Sequence, residues 1–193
     1  MKHFRLAALL TLGAVAGGPA AAVDKGGCAL LLLHEPGASA TALSRKLAPA
    51  CAVSAVEAER DLPTLWRELR RRSQELRKQG VQKVLVGGWG AAANVAMAYA
   101  AQVGEADGVL AIGPQEQAQG VGALPDLARQ QRQHAPVLWV VGAEDPVGKR
   151  GEDYAYAKAP PHPFSRYVLV KTGRADITEA AVKPVIEWIK ALD

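Results

Sequence analysis

Short apolar runs that leave no polar face, such as Ala29-Leu30-Leu31-Leu32-Leu33 and Val137-Leu138-Trp139-Val140-Val141, recur along this chain with helix-patterned stretches between them. A strand that is apolar at every position must be covered on both sides, and a parallel sheet packed between two helix layers supplies that cover. Strands are expected over residues 29–33, 52–56, 83–86, 108–112, 137–141 and 167–170. Helices are expected over 39–48 and 62–79, from a small-residue turn at 87–90 through Tyr99, and over 178–192. The fold class that follows is α/β: a three-layer α/β/α sandwich with a mostly parallel sheet of about six strands.

The second helix carries its own punctuation. Leu62, Leu65, Trp66, Leu69 and Leu76 fall at helical spacing, Asp61 is a candidate N-cap with Pro63 near the first turn, and Gly80 is a stop. Arg67, Arg70, Arg71, Arg72, Arg77 and Lys78 give this helix a basic outer face. Such a face is ordinarily solvated; the sharper reading is a contact for anionic lipid headgroups. In the last helix Val182, Val185, Ile186 and Ile189 are expected inward, and the polar, Gln-rich stretch 114–135 is expected to form a cap or loose insertion over the strand ends.

The first 22 residues stand apart from this pattern. Lys2, His3 and Arg5 precede an apolar run over 6–17 that ends in Pro19-Ala20-Ala21-Ala22, the pattern of a secretory signal cleaved after Ala22. The expected organisation is a signal peptide, 1–22, and a single domain, 23–193, in the periplasm or secreted. The apolar run is short for a membrane span, which needs about 20 residues, so no transmembrane segment is expected. Losing Lys2 and Arg5 lowers the 23 basic residues to 21 against 19 acidic ones, and the net charge from +4 to +2. So small an excess gives no support to a nucleic-acid partner. Cys28 and Cys51 each open an apolar run, and in an oxidising compartment a single disulfide between them is expected. No His lies near either cysteine, so no metal site is expected, and no cofactor.

Ligands of parallel sheets bind at the carboxyl ends of the strands, which makes the residues just beyond each strand the informative ones. They read His34-Glu35-Pro36-Gly37, then Gly88-Trp89-Gly90-Ala91-Ala92-Ala93-Asn94, then Gly142-Ala143-Glu144-Asp145-Pro146-Val147, and before the final helix Gly173-Arg174-Ala175-Asp176-Ile177-Thr178-Glu179. In order and in motif these stretches resemble the α/β-hydrolase family, in a small form, over residues 27–193. The resemblance implies that His34 and Glu35 stand in the H-G loop that supplies one oxyanion donor, with Glu35 where glycine is usual. Gly88-Trp89-Gly90-Ala91-Ala92 is similar to G-x-S-x-G, which puts Gly90 at the nucleophile position and the Ala91 amide at an oxyanion donor's. A register shifted by one puts Trp89 there, which is no nucleophile either. Asp145 matches the triad acid, and Arg174 replaces the histidine base.

Glycine has no group to attack with, and arginine, with a pKa above ~12, cannot act as a base at physiological pH. Losing nucleophile and base together removes nearly all of the chemical step. The expected protein is therefore a catalytically inactive hydrolase-like binding or structural module of the cell envelope, with an unidentified small molecule or envelope protein as partner. The alternative is an esterase-like enzyme that uses Asp145, Glu35 or His34 for acid–base work without a covalent serine intermediate. His134 and His162 are expected in structural or solvent roles, Ser39 and Thr41 as helix-start caps, and Asp145 with Arg174 as an ion pair replacing the Asp–His contact. Trp66, Trp139 and Trp188 are expected in the core. Trp89 is expected either at the pocket mouth, filling the space of an acyl chain, or in simple packing.

Overall fold

The computed structural model describes residues 27–58, 61–118, 120–130, 135–145, 147, 156, 161–173 and 175–193. Its elements are β1 (Cys28–His34), α1 (Thr41–Leu47), β2 (Ala52–Glu57), α2 (Leu62–Lys78), β3 (Lys83–Trp89), α3 (Ala91–Val103), β4 (Gly108–Ile112), β5 (Gln117–Ala118), β6 (Gly122–Ala123), α4 (Leu124–Arg129), β7 (Val137–Gly142), β8 (Arg166–Val170) and α5 (Ile177–Ala191). Six strands form the main sheet in the order β2-β1-β3-β4-β7-β8, and every neighbouring pair is parallel.

Alternation along each strand sorts the core into two layers. On β1, Leu31 and Leu33 face the cluster built with α2, α3 and α4, whereas Leu30 and Leu32 face the cluster built with α1 and α5. All four leucines are fully buried, as an apolar run without a polar face requires. α3 lies against the middle of the sheet and buries ten of its residues, Ala92 to Ala101, so its lack of an amphipathic pattern is what its position demands. It ends at Gly104, whose left-handed φ of 71° lets its N–H reach the Ala100 carbonyl.

Small residues set the closest approaches. A Cβ on Gly88 would lie 2.6 Å from the Ala92 carbonyl oxygen, and one on Gly87 would lie 2.7 Å from the Leu110 Cβ. These glycines let β3 run on to Trp89, paired with Ile112 of β4, beyond the 83–86 run that the apolar pattern marks.

Two expectations need correction. Asp61 does occupy the N-cap position of α2, but its side chain caps nothing; Pro63 in the first turn and Gly80 beyond the last mark the ends. The helix expected over 39–48 is shorter than the sequence suggests, with Ala40 at the N-cap; Ser39 Oγ nonetheless accepts the Thr41 N–H at 3.4 Å. Of the two forms expected for 114–135, a cap or a loose insertion, the described residues 114–118 and 120–130 take the packed one. β5 and β6 pair antiparallel, the Leu124 N–H donates to the Glu116 carbonyl, and α4 buries Leu124, Leu127 and Ala128 in the core.

Cys28 and Cys51 are bridged, with Cα atoms 5.0 Å apart. The register that pairs Ala29 with Ala52 brings the two cysteines together at the amino ends of β1 and β2, fastening the edge strand to its neighbour. Trp139 and Trp188 are buried as expected, while Trp66 is half-buried: it packs edge-on against Tyr99 with centroids 5.5 Å apart and donates its indole N–H to Gln102. Burial, and secondarily the Glu105 charge, push the Tyr99 phenol up to about 12.

Candidate functional site

The chain leaves β1 outward to β2 and then crosses back to β3, so the strand order reverses between β1 and β3. The carboxyl ends of these two strands are the position where open parallel sheets hold ligands. His34 and Glu35 follow one strand; Trp89, Gly90 and Ala91 follow the other.

Gly90 forms the corner between β3 and α3 with φ 60° and ψ −133°, a conformation that residues with a Cβ adopt only under strain. Its N–H donates to the Ile112 carbonyl at 3.0 Å and its carbonyl accepts from Ala93 at 3.2 Å, so the corner is tied to both β4 and α3. The sharp strand-to-helix turn that would carry a nucleophile is thus built, and its tip has no side chain.

Opposite this corner, the turn after β1 is fixed by an Ala38 N–H donating to the Glu35 carbonyl at 3.0 Å. Pro36 and Gly37 occupy its central positions, and the φ of 77° at Gly37 is what a type II turn asks of its third residue. The His34 ring donates from Nδ1 to the same Glu35 carbonyl at 3.1 Å. So held, Glu35 sends its side chain across to the start of α3, where Oε1 accepts the Ala91 N–H at 3.1 Å. The same oxygen lies 3.0 Å from where a Cβ on residue 90 would stand. A carboxylate therefore sits on the backbone donor at the start of α3 and fills the space beside it that a side chain at position 90 would use. Carboxylates are favoured there by the free amides and by the helix dipole.

Trp89 lies half-buried beside these groups, stacked on His34 with ring centroids 6.1 Å apart and planes 20° from parallel, and packed against the cluster under α1 and α5. The contacts described for this residue are packing ones, with His34 and with that cluster.

Asp145 is 4% exposed beyond the end of β7, where its Oδ1 accepts the Val147 N–H at 2.9 Å and its own N–H donates to Gly142. Its expected partner Arg174, and His134, lie outside the described residues, as do the signal residues 1–22. His162 accepts the Phe164 N–H on Nδ1 at 3.1 Å, a local turn contact. Among the described residues, no group of three His, Cys, Asp or Glu side chains is placed to hold a metal ion. No helix among them is long and apolar enough to cross a membrane.

Two residues matter more than their sequence suggested. Asn94 is fully buried in the first turns of α3, where Nδ2 donates to the Gln115 carbonyl and Oδ1 accepts the Gln115 N–H, both at 2.9 Å. A buried carboxamide with both ends satisfied is a structural pin, and its sequence signal is a polar residue among the apolar first turns of the helix. Glu68 organises the basic face of α2. It accepts from Arg71 and Arg72, whose hydrogen bonds hold its carboxyl down at about 2. Arg71 also pairs with Glu75, Arg70 with Glu105 and Arg77 with Asp107, so most of the guanidinium groups on this helix are engaged within the protein.

No protein-family model matches the chain, and no curated protein matches it in sequence. Its fold matches solved structures. The esterase domain of a Rhodothermus marinus protein is 18% identical, with a TM-score of 0.62 over 88% of this chain and 89% of that one. The alpha/beta hydrolase GrgF from Penicillium sp. sh18 is 10% identical, with a TM-score of 0.66 over 88% and 91%. Metagenome-derived lipolytic enzymes described as LipS and LipT are represented at 11% identity and a TM-score of 0.63 over 88% and 96%. The chain has an α/β-hydrolase-like fold.

Proposed function

We propose that this protein is exported to the cell envelope and acts there as a binding module on a hydrolase-like frame that no longer performs nucleophilic ester chemistry. The observation that carries this reading is the Glu35 contact. In acyl transfer the amide after the nucleophile stabilises the oxyanion of the tetrahedral intermediate. Here that amide, on Ala91, is taken by a carboxylate of the chain itself, and the adjoining residue is glycine. One N–H cannot hold Glu35 and stabilise an incoming oxyanion in the same place, and a second negative charge beside Glu35 is disfavoured. The signal-like amino terminus and the Cys28–Cys51 bridge support an oxidising compartment.

The test is an initial-rate screen of the purified, signal-free protein against short and medium acyl esters, together with labelling by a serine-directed fluorophosphonate. We expect neither turnover nor labelling. Steady turnover by the parent protein would overturn the proposal. A second reading, an enzyme without a covalent serine intermediate, draws on the buried Asp145 beyond β7; it requires turnover that disappears in Asp145→Ala.

A further inference from the structure

The main sheet ends in two edge strands, β2 and β8, and the two edges are built differently. Cations bracket β8, with Arg166 at its start and Lys171 just beyond its end, so self-pairing of that edge brings like charges together. β2 has no such guard. From Ala52 to Glu57 it holds no lysine, arginine or proline, and its register with β1 runs through six consecutive pairs without a bulge. The Cys28–Cys51 bridge fixes the strand at its amino end, so this edge is both bare and held in place. We propose that two copies of the chain pair through β2, antiparallel across a two-fold axis, and so join their main sheets into one.

The backbone sets the register. In a parallel pair, alternate residues turn both N–H and C=O toward the neighbouring strand. The Ala58 N–H donates to the His34 carbonyl at 2.8 Å, which turns the even-numbered residues of β2 toward β1 and leaves the backbone groups of Val53, Ala55 and Glu57 facing outward. Among the described residues, none of these three makes a backbone hydrogen bond across the open edge. An antiparallel copy satisfies all of them when Ala55 meets the partner's Ala55 on the axis. Val53 then faces the partner's Glu57, and each facing pair exchanges two hydrogen bonds. Ala55 is exposed and small, so no bulky side chain on the axis holds the copies apart.

The same register pairs charges. Side chains at 53, 55 and 57 share one face of the sheet, and Val53 and Ala55 line an open depression together with Arg45 of α1. Arg45 and Glu57 are both exposed, and neither has an ion pair or a side-chain hydrogen bond among the described residues, whereas Lys46 beside Arg45 is already held by Glu179. Setting Glu57 opposite the partner's Val53 carries it to the partner's Arg45, and the two-fold axis repeats the contact. Because the strands run antiparallel, the two Gly90 corners open on opposite edges of the joint sheet.

The test is sedimentation equilibrium of the signal-free protein over a concentration series. The parent is expected to show the mass of two chains, falling to one on dilution. Glu57→Arg sets like charges against each other twice and should weaken association at least about tenfold. Adding Arg45→Glu to it reverses both charges and should restore the parent behaviour. Ala55→Pro removes an N–H that no bond within one chain uses and should leave single chains; should that variant fail to fold, the charge reversal decides alone, since both of its positions are exposed. Lys171→Glu, at the other edge, should change nothing. The pairing is overturned if the parent stays a single chain throughout the series, if the charge-reversed double variant associates as weakly as Glu57→Arg, or if Lys171→Glu alters association as much as Glu57→Arg does. None of these readouts depends on ester turnover, so the pairing stands or falls separately from the proposed loss of catalysis.

Discussion

Replacing Gly90 by serine, alone and together with Glu35→Ala, measures whether the carboxylate really occupies the corner between β3 and α3. In the parent background the substitution has two costs. The first is backbone strain, since φ is 60° at this residue, and a residue with a Cβ in such a region costs about 1–3 kcal/mol. The second comes from Glu35, whose Oε1 would lie 3.0 Å from the new Cβ. The side chain must yield by a few tenths of an ångström, which strains or breaks its bond to the Ala91 amide, a loss of up to about 1 kcal/mol for an exposed hydrogen bond. The expected destabilisation is therefore about 1–4 kcal/mol in the parent. With alanine at 35 only the strain remains, so the same substitution should cost about 1–3 kcal/mol.

Glu35→Ala alone gives up the same hydrogen bond, which both single variants weaken or lose and the double variant loses once. The double variant should accordingly be more stable than the sum of the singles predicts, by up to about 1 kcal/mol. Urea denaturation of the four proteins at pH 7 supplies the cycle, and thermal melts check it at about 2–4 °C per kcal/mol for a chain of this size. If Gly90→Ser costs the same with and without Glu35, to within about 0.3 kcal/mol, the carboxylate does not occupy the corner in solution and the Ala91 amide is open to other acceptors.

Reducing the Cys28–Cys51 bridge, or replacing both residues by serine, releases a loop closed at a sequence separation of 23; chain entropy puts the loss at about 3 kcal/mol, read as a melting temperature lower by about 6–12 °C. A Cβ on Gly88 meets the Ala92 backbone at 2.6 Å, where nothing flexible can yield, so Gly88→Ala should lose about 3 kcal/mol or more by denaturant titration. Glu68, held down at about 2 by Arg71 and Arg72, has a folded value below its unfolded one. Its contribution is therefore present above about pH 4.5 and fades as the pH falls toward about 2. Because the pairs are largely exposed, Glu68→Gln should cost at most about 1 kcal/mol at pH 7 in paired melts, and progressively less as the pH falls through about 2.

The sheet was legible because its strands are apolar without interruption, and burial on both faces admits few other arrangements. Its end at Trp89 was not, since the glycine pair at 87 and 88 resembles a turn until the approach of Leu110 and Ala92 is known. The polar stretch after β4 left two forms open for a related reason. Its glutamines describe the outer surface, while the few apolar residues Leu124, Leu127 and Ala128 decide that it folds onto the core. At the site, Gly90, Ala91 and Glu35 could each be picked out by the motif they interrupt. Their contact could not, because it joins residues 56 apart through a turn whose direction depends on Pro36 and Gly37.

Asn94 has a consequence for motion. Its two bonds to Gln115 are buried, and they fasten the stretch leading into β5, β6 and α4 to the first turns of α3, within four residues of Gly90. A lid on loop hinges can swing while the floor beneath it stays still. This cover has no such independence, because lifting it means either breaking a doubly bonded carboxamide away from water or carrying the start of α3 along. The amides of Gln115 and of the Gly90 corner should therefore exchange with solvent through one shared opening, slow in both or fast in both, rather than as a mobile flap above a rigid seat.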